Sequence, residues 1–156
     1  MKIGITNDHH GVYLKQILIK YLVELGYNVT DYGTNTGNVA DFGVVSRKIV
    51  DFPVYAFKLG EAIQKKEIEL GIAICGSGIG MSIALNKMKG VYCAKISSVP
   101  EAISSRAHND VNCIAFGQDL DEELVKEMVL KFIETPFSNI DRYKKRNNMI
   151  KSKENE

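Results

Sequence analysis

Short apolar runs alternate along this chain with longer segments in which apolar residues recur every three or four positions. The short runs cover residues 2–6, 27–32, 70–74, 91–95 and 112–116. Their length and their β-branched or aromatic composition predict five strands. The longer segments have the period of an amphipathic helix, which is clearest over residues 14–25 and 120–133.

Local signals mark where helices stop and start. Gly26 follows residues 14–25 in the position where glycine usually ends a helix. Ser98 and Glu101 form the S-x-x-E pattern that opens a helix, which we expect to run toward Ala107. Strands and helices alternate, and several strands are apolar on both faces. The chain is therefore predicted to be an α/β protein whose five-stranded, mostly parallel sheet is covered on both sides.

Two segments depart from this alternation. Residues 33–52 are too long for an ordinary connection, so we expect a functional loop or a short inserted element there. Residues 141–156 are polar and are predicted to form a C-terminal helical tail. A chain of 156 residues can bury a sufficient core as one unit, so residues 1–156 are interpreted as a single domain.

Composition and charge narrow the functional classes. The formal net charge of +1 argues against a nucleic-acid-binding protein that relies on bulk charge. The first ten residues do not resemble a signal peptide, and no apolar stretch approaches the length of a membrane span, so we expect a cytoplasmic protein that contacts no membrane. In that compartment Cys75, Cys93 and Cys113 are expected to remain thiols.

The segment "GIAICGSGIGMSIALNK", residues 71–87, places Cys75 at the end of a predicted strand and three glycines directly after it. A glycine-rich turn that leads into a helix presents several N–H groups and can bind a phosphate or an oxyanion. No Lys-Ser or Lys-Thr follows the glycines, which excludes a P-loop. The third glycine of a dinucleotide-binding fingerprint would fall at Met81, which weakens that interpretation. Cys75 is then either a small apolar strand residue or a reactive thiolate.

Three stretches together resemble one enzyme family. "ICGSGIGMSIALNK", "NDHHG" near the start and "SRAHNDVN" after the fourth predicted strand are similar to the motifs of the ribose-5-phosphate isomerase B (RpiB/LacAB) sugar-phosphate isomerases. The resemblance covers nearly the whole chain. It implies a Rossmann-like three-layer α/β/α sandwich, a homodimer or homotetramer, and interconversion of aldose and ketose phosphates without a metal or a cofactor.

The same resemblance implies the roles of individual residues. Cys75 matches the family's catalytic base, and Ser77 stands where a threonine is usual. Asp8 and His108 are the candidates for opening the sugar ring. The expected substrate-binding residues are His9, Gly76, Gly78, Ile79, Gly80, Asn109, Arg142 and Arg146. In the family the C-terminal segment reaches the site of a neighbouring subunit, so we expect an active site shared between subunits.

Three departures from the family pattern concern the substrate more than the chemistry. Phe52 stands where a tyrosine is common and removes a hydroxyl near the sugar. Asp119 occupies a place often held by arginine, and with Glu122 it is a candidate cap of the last long helix. The segment 37–50 looks longer than usual.

The leading interpretation is a ribose-5-phosphate isomerase of the pentose phosphate pathway that proceeds through a cis-enediolate. Isomerisation of another aldose, such as allose, allose 6-phosphate or galactose 6-phosphate, is the nearest alternative. A non-catalytic module that binds a sugar phosphate or a nucleotide would use the same glycine loop but would leave Cys75, Asp8 and His108 without a purpose. A metal hydrolase using His9, His10, His108 and Cys75 is disfavoured, because no pair of histidines four residues apart exists.

Overall fold

The computed structural model describes residues 1–37 and 48–156, in which strands and helices alternate. The elements of the first half are β1 (Lys2–Asn7), α1 (Val12–Glu24), β2 (Asn28–Asp31), α2 (Phe52–Gln64) and β3 (Leu70–Cys75). The second half contains α3 (Ile79–Asn86), β4 (Cys93–Lys95), α4 (Val99–Asn109), β5 (Cys113–Gly117), α5 (Glu122–Glu134) and α6 (Asp141–Glu154).

The strands form one sheet in the order β2-β1-β3-β5-β4. Every pairing is parallel, so the sheet is fully and not mostly parallel. The chain moves from β1 outward to β2 and then returns to place β3 on the other side of β1. This reversal creates a crevice beyond the carboxyl ends of β1 and β3, which is where ligands bind in open α/β sheets.

Helices cover both faces of the sheet, which confirms the predicted fold class. Side chains of β3 alternate between two apolar cores: Ile72 and Ile74 join the cluster under α1 and α5, whereas Ala73 and Cys75 join the cluster under α2 and α3. All six residues of β3 are buried. A central strand that is apolar on both faces is what a parallel sheet covered by helices requires.

Most predicted helices are present with small shifts of their ends. Residues 14–25 and 120–133 correspond to α1 and α5, and the C-terminal tail is α6. Gly26 adopts a left-handed conformation with φ of +91° after α1. The side chain of Ser98 caps α4 as expected by accepting a hydrogen bond from the N–H of Glu101.

Two expectations about the connections need correction. The long segment 33–52 ends where α2 begins, so Phe52 is the first helical residue and not part of a loop. Residues 38–47 of the segment 37–50 lie outside the described residues. The cap of α5 is Asp121, whose carboxylate accepts the N–H groups of Glu123 and Leu124, and not Asp119.

A buried polar network fixes the chain on either side of the crevice. Lys15 is fully buried in α1, where its ammonium lies 3.0 Å from a carboxylate oxygen of Asp31 and donates to the carbonyl of Thr34 and the side chain of Asn35. Asn7 at the end of β1 exchanges two hydrogen bonds with the backbone of Thr34. Because these buried donors and acceptors form hydrogen bonds with one another, the segment after β2 is held against the end of β1.

None of the helices in the described part of the chain combines the length and apolar character that a bilayer crossing requires.

Candidate active site

The glycine loop connects the carboxyl end of β3 to the start of α3. Gly78, the residue before α3, has φ of +80°. A Cβ atom built on Gly78 would lie 2.6–2.8 Å from backbone atoms of Phe116 in β5. Both the left-handed conformation and the close approach to β5 therefore require glycine at this position.

The thiol of Cys75 lies under this loop. Its Sγ accepts a hydrogen bond from the N–H of Gly78 at 3.1 Å, and the side chain is 5% exposed. The positive end of α3 begins at the same turn. An N–H donor and a helix N-terminus both favour negative charge, so the loop is suited to hold a thiolate or a substrate anion.

The remaining loop residues differ in exposure. The Ser77 hydroxyl is exposed and accepts the N–H of Ile79 at 3.2 Å. A Cβ atom on Gly80 would lie 2.7 Å from the ring of Phe52, so this ring closes the loop on the side of α2. The phenylalanine noted in the sequence thus forms one wall of the loop.

Asp8 lies beside Cys75 because β1 and β3 are neighbours. Asn7 is in register with Ile74, and the N–H of Asp8 donates to the carbonyl of Ile74 at 3.2 Å. The Asp8 side chain is buried, and one of its carboxylate oxygens accepts the N–H of His10 at 2.9 Å. The predicted meeting of Asp8 with the glycine loop is therefore present within one chain.

His9 extends from the same turn toward the start of α2. Its Nδ1 lies 3.2 Å from the carbonyl oxygen and 3.3 Å from the amide nitrogen of Val50. The rings of His9 and His10 are tilted against each other with centroids 4.2 Å apart. His9 thus lies at the crevice, and the backbone of Val50 contacts its ring on one side.

Two further residues lie at the carboxyl ends of these strands. The sequence suggested His10 only as a ligand of the disfavoured metal hydrolase, and Gln118 was not predicted as a site residue. His10 faces Gly76, and its Nδ1 lies 3.2 Å from the side-chain nitrogen of Gln118. Gln118 follows β5 directly and donates its backbone N–H to the carbonyl of Cys75 at 3.0 Å. The signal that could have found Gln118 is its position: it is a polar residue at the carboxyl end of the strand next to β3.

His108 and Asn109 lie elsewhere, and the expectation that His108 stands beside the glycine loop is wrong for a single chain. Both residues end α4, which returns across the sheet before β5 starts at Cys113. Cys113 pairs with Gly71 at the start of β3, whereas Cys75 pairs with Gly117. The amino ends and the carboxyl ends of these strands are therefore four residues, or about 13 Å, apart.

The exposed Arg142 and Arg146 lie in α6, which packs against the end of α4. Tyr143 stacks on the ring of His108 with centroids 4.4 Å apart, and the guanidinium of Arg142 lies over the Tyr143 ring. The buried Asn147 donates to the carbonyl of His108 at 3.1 Å. This second group, which we call the α4–α6 cluster, consists of His108, Asn109, Arg142, Tyr143, Arg146 and Asn147.

A cavity of about 320 Å³ adjoins the α4–α6 cluster. Asn109 and Asn147 line it together with Asn86 and Cys93, and no residue of the glycine loop contributes to it. The expected substrate-binding residues are therefore divided between two places on the surface of one chain.

One group of potential metal ligands is present among the described residues. Asp8, His9 and His10 each offer an atom, and these atoms lie within 4.8 Å of one another. Asp8 already accepts a backbone N–H and the Nδ1 of His9 already contacts the backbone of Val50. The four ligands of the metal-hydrolase alternative are not brought together, because His108 lies at the amino ends of the strands and the other three lie at the carboxyl ends.

The sequence is similar to known proteins. A family model described as ribose/galactose isomerase matches residues 3–150. Ribose-5-phosphate isomerase B of Escherichia coli (strain K12) is 37% identical over 116 residues, which cover 74% of this chain and 71% of the relative.

Solved structures show the same fold. Ribose-5-phosphate isomerase B of Clostridium thermocellum superposes with a TM-score of 0.89 at 35% identity, covering 99% of this chain and 98% of the other. The enzyme of Mycoplasma genitalium, solved with bound ribulose 5-phosphate, has a TM-score of 0.87 at 30% identity and covers 99% and 97% of the two chains.

Proposed function

The chain belongs to the ribose/galactose isomerase family, and we propose that it interconverts ribose 5-phosphate and ribulose 5-phosphate in the pentose phosphate pathway. It is an aldose–ketose isomerase by its similarity to relatives and solved structures of that activity. The observation that carries the proposal is the thiol of Cys75, held by the N–H of Gly78 beside the buried Asp8. The proposal places the enzyme in the cytoplasm, where its thiols stay reduced.

The proposed reaction uses the Cys75 thiolate as the base. Sγ removes the proton from C2 of the open-chain aldose, and the electrons of that C–H bond form a C1–C2 double bond while the C1 carbonyl oxygen takes the negative charge. In the resulting cis-enediolate the proton of the C2 hydroxyl moves to the C1 oxygen, so that the C2 oxygen carries the negative charge. Sγ then returns its proton to C1 while the C2–O bond becomes the carbonyl of the ketose, and the thiolate is regenerated. Base and acid are thus one residue, which moves a single proton between adjacent carbons.

The glycine loop is proposed to stabilise the enediolate. N–H groups of Gly76, Gly78, Ile79 and Gly80 stand at the start of α3, where backbone donors and the helix dipole favour an oxyanion. The exposed hydroxyl of Ser77 is in place to move a proton between the two enediolate oxygens. Backbone donors suit this task because they are fixed before the charge develops.

Ring opening and phosphate binding are proposed to need a second copy of the chain. Asp8 and His108 form the ring-opening pair, and His9, Asn109, Arg142 and Arg146 hold the substrate. Asp8 lies at the carboxyl ends of the strands and His108 lies at their amino ends, so one chain cannot bring them together. In a homodimer, or in a homotetramer built from it, the α4–α6 cluster of one subunit completes the glycine loop of the other.

An apolar surface next to the glycine loop supports this assembly. Ile79 and Ile83 lie one turn apart on α3 and are 56% and 58% exposed. Large apolar side chains exposed side by side on one helix are typical of an interface. A partner bound there would lie directly beside Cys75.

Proton NMR of the purified protein with ribose 5-phosphate in D₂O tests the function. We expect the C2 hydrogen of the aldose to exchange while ribulose 5-phosphate appears. If only allose 6-phosphate or galactose 6-phosphate exchanged, the proposed substrate would be wrong, but the enediolate mechanism would stand. No exchange with any of these aldoses or with allose, together with tight sugar-phosphate or nucleotide binding in calorimetry, would contradict the enzymatic proposal and favour a binding module.

A further inference from the structure

We propose that His10 is a further substrate-contacting residue, which donates its Nε2–H to an oxygen of the enediolate at the first turn of the glycine loop. This inference rests on the proposed function and adds a donor to the same site. The positioning residue is Gln118, which fixes the tautomer of His10.

The ring of His10 faces the peptide that follows Cys75. A Cβ atom on Gly76 would lie 3.5 Å from Cδ2 and 3.8 Å from Nε2 of His10. The Asp8 carboxylate anchors the backbone of His10, and the ring of His9 lies against the ring of His10. The imidazole is half-buried, so it reaches both the protein interior and the open side of the loop.

Gln118 determines which ring nitrogen of His10 carries the proton. The nitrogen of the Gln118 side-chain amide lies 3.2 Å from Nδ1, and this nitrogen can only donate. Nδ1 of the neutral imidazole therefore accepts, which leaves the proton on Nε2. The backbone of Gln118 is itself held by its hydrogen bond to the carbonyl of Cys75. Within residues 1–37 and 48–156, Nε2 of His10 has no hydrogen-bond partner.

The glycine loop gives a physical reason for an additional donor. The N–H of Gly78 is already engaged by Sγ of Cys75, and the N–H of Ile79 is engaged by the Ser77 hydroxyl. Two of the donors at the start of α3 are therefore occupied inside the loop before any substrate binds. A side-chain N–H beside Gly76 can contribute to the oxyanion without breaking either contact.

Two substitutions test the contact. His10→Phe keeps the ring but removes Nε2–H, and we expect kcat to fall roughly ten- to a hundredfold while KM changes little. His10→Gln places an amide donor near the position of Nε2, and we expect it to keep most of the wild-type kcat. An unchanged kcat in His10→Phe, or a loss confined to KM, would overturn the assignment to the enediolate.

Nitrogen-15 NMR of histidine-labelled protein supplies a readout that needs no turnover. The chain has three histidines, so the His10 signals are assigned by their loss in His10→Gln. We expect the Nε2–H tautomer in the wild type and its loss in Gln118→Glu, because a carboxylate accepts a proton from Nδ1. We also expect ribose 5-phosphate to shift the Nε2 signal.

These readings separate the two proposals. If the protein turned over no aldose but the Nε2 signal still shifted with ribose 5-phosphate, the isomerase function and the assignment to the enediolate would fail, while a contact between His10 and the bound sugar phosphate would stand. An Nδ1–H tautomer in the wild type, or an Nε2 signal that ribose 5-phosphate leaves in place, would overturn the role of His10 even in an active isomerase.

Discussion

The backbone N–H of Gly78 donates a hydrogen bond to Sγ of Cys75 over 3.1 Å. Donor and acceptor are only three positions apart in the chain, so the contact is set by the conformation of the glycine loop. The position of the proposed base is thus set by local structure, before a substrate or a second subunit arrives.

Replacing Cys75 by alanine should remove the proposed base. We expect kcat to fall by about 10² to 10⁴, the usual contribution of a positioned general base, while circular dichroism and urea unfolding stay close to wild type. Cys113→Ala is the matched control, because Cys113 is also buried but lies at the start of β5, away from the loop, and its kcat should be unchanged. A near-normal rate in Cys75→Ala would assign the base to another residue.

Gly78→Ala should destabilise the protein and distort the loop. Its positive φ alone costs about 1–2 kcal/mol for a residue with a side chain, and the added methyl would collide with the backbone of β5. We expect urea unfolding to show a loss of about 2 kcal/mol or more in the free energy of unfolding. Gly76→Ala is the control for stability, because its Cβ would meet nothing closer than His10 at 3.5 Å. Equal stability of the two variants would contradict this account of the turn.

The fold was predictable where the pattern was local. The helix over 14–25 and the loop after Cys75 follow from spacing and from glycines within a few residues of each other. Helix α2 was not singled out because Val54 and Phe57 are exposed at 52% and 41%, which blurs the amphipathic period.

The site was predictable only in part, for a topological reason. The predicted elements put His108 after a helix and before the strand 112–116, whereas the family resemblance grouped it with Asp8 and Cys75, which end strands. Because α4 runs back across the sheet, a residue at its carboxyl end precedes β5 and stands at the edge opposite Cys75. Asp8 follows a strand directly, and its place beside β3 was therefore correctly expected.

Mixing two inactive variants tests the shared active site. If Cys75 and His108 act together across a dimer, equal amounts of Cys75→Ala and His108→Ala that exchange subunits give half heterodimers, each with one intact site of two. We therefore expect about a quarter of the wild-type activity after refolding the mixture. Each variant refolded alone is the control. A mixture as inactive as its components would place both residues in one chain's site and contradict the division seen here.

Lys15→Met should measure the network that holds the segment after β2. The substitution removes the ammonium that contacts Asp31, Thr34 and Asn35, and leaves the Thr34 carbonyl with one donor fewer. We expect a loss of about 2 kcal/mol in the free energy of unfolding, measured in urea.

Asp31→Asn is the informative partner variant. Asp31 is 34% exposed and can be solvated when its partner is gone, whereas the ammonium of Lys15 is fully buried and cannot. We therefore expect Asp31→Asn to cost about 3 kcal/mol, more than Lys15→Met. The reverse order would mean that the two neutral acceptors, and not the carboxylate, balance the buried charge.

The contact between Tyr92 and Glu154 should make the attachment of α6 sensitive to alkaline pH. The Tyr92 hydroxyl donates to a Glu154 oxygen at 2.8 Å, and the other oxygen accepts the N–H of Gly90. Burial, followed by this hydrogen bond, raises the pKa of Tyr92 to about 12. Because the folded pKa exceeds the ordinary value of 10.0, the neutral phenol stabilises the fold below pH 10, and this contribution is lost as pH rises through about 12.

Absorbance at 295 nm should show one tyrosine titrating near pH 12, and this step should vanish in Tyr92→Phe. Lysines also titrate in this range, so the loss of α6 helicity with pH must be compared between the wild type and Tyr92→Phe. We expect the variant to have a looser α6 already at neutral pH and to lose less of it between pH 10 and 12, because it has no phenol to ionise. If both proteins lost the same helicity over that interval, Tyr92 would not be the group that ties α6 to the sheet.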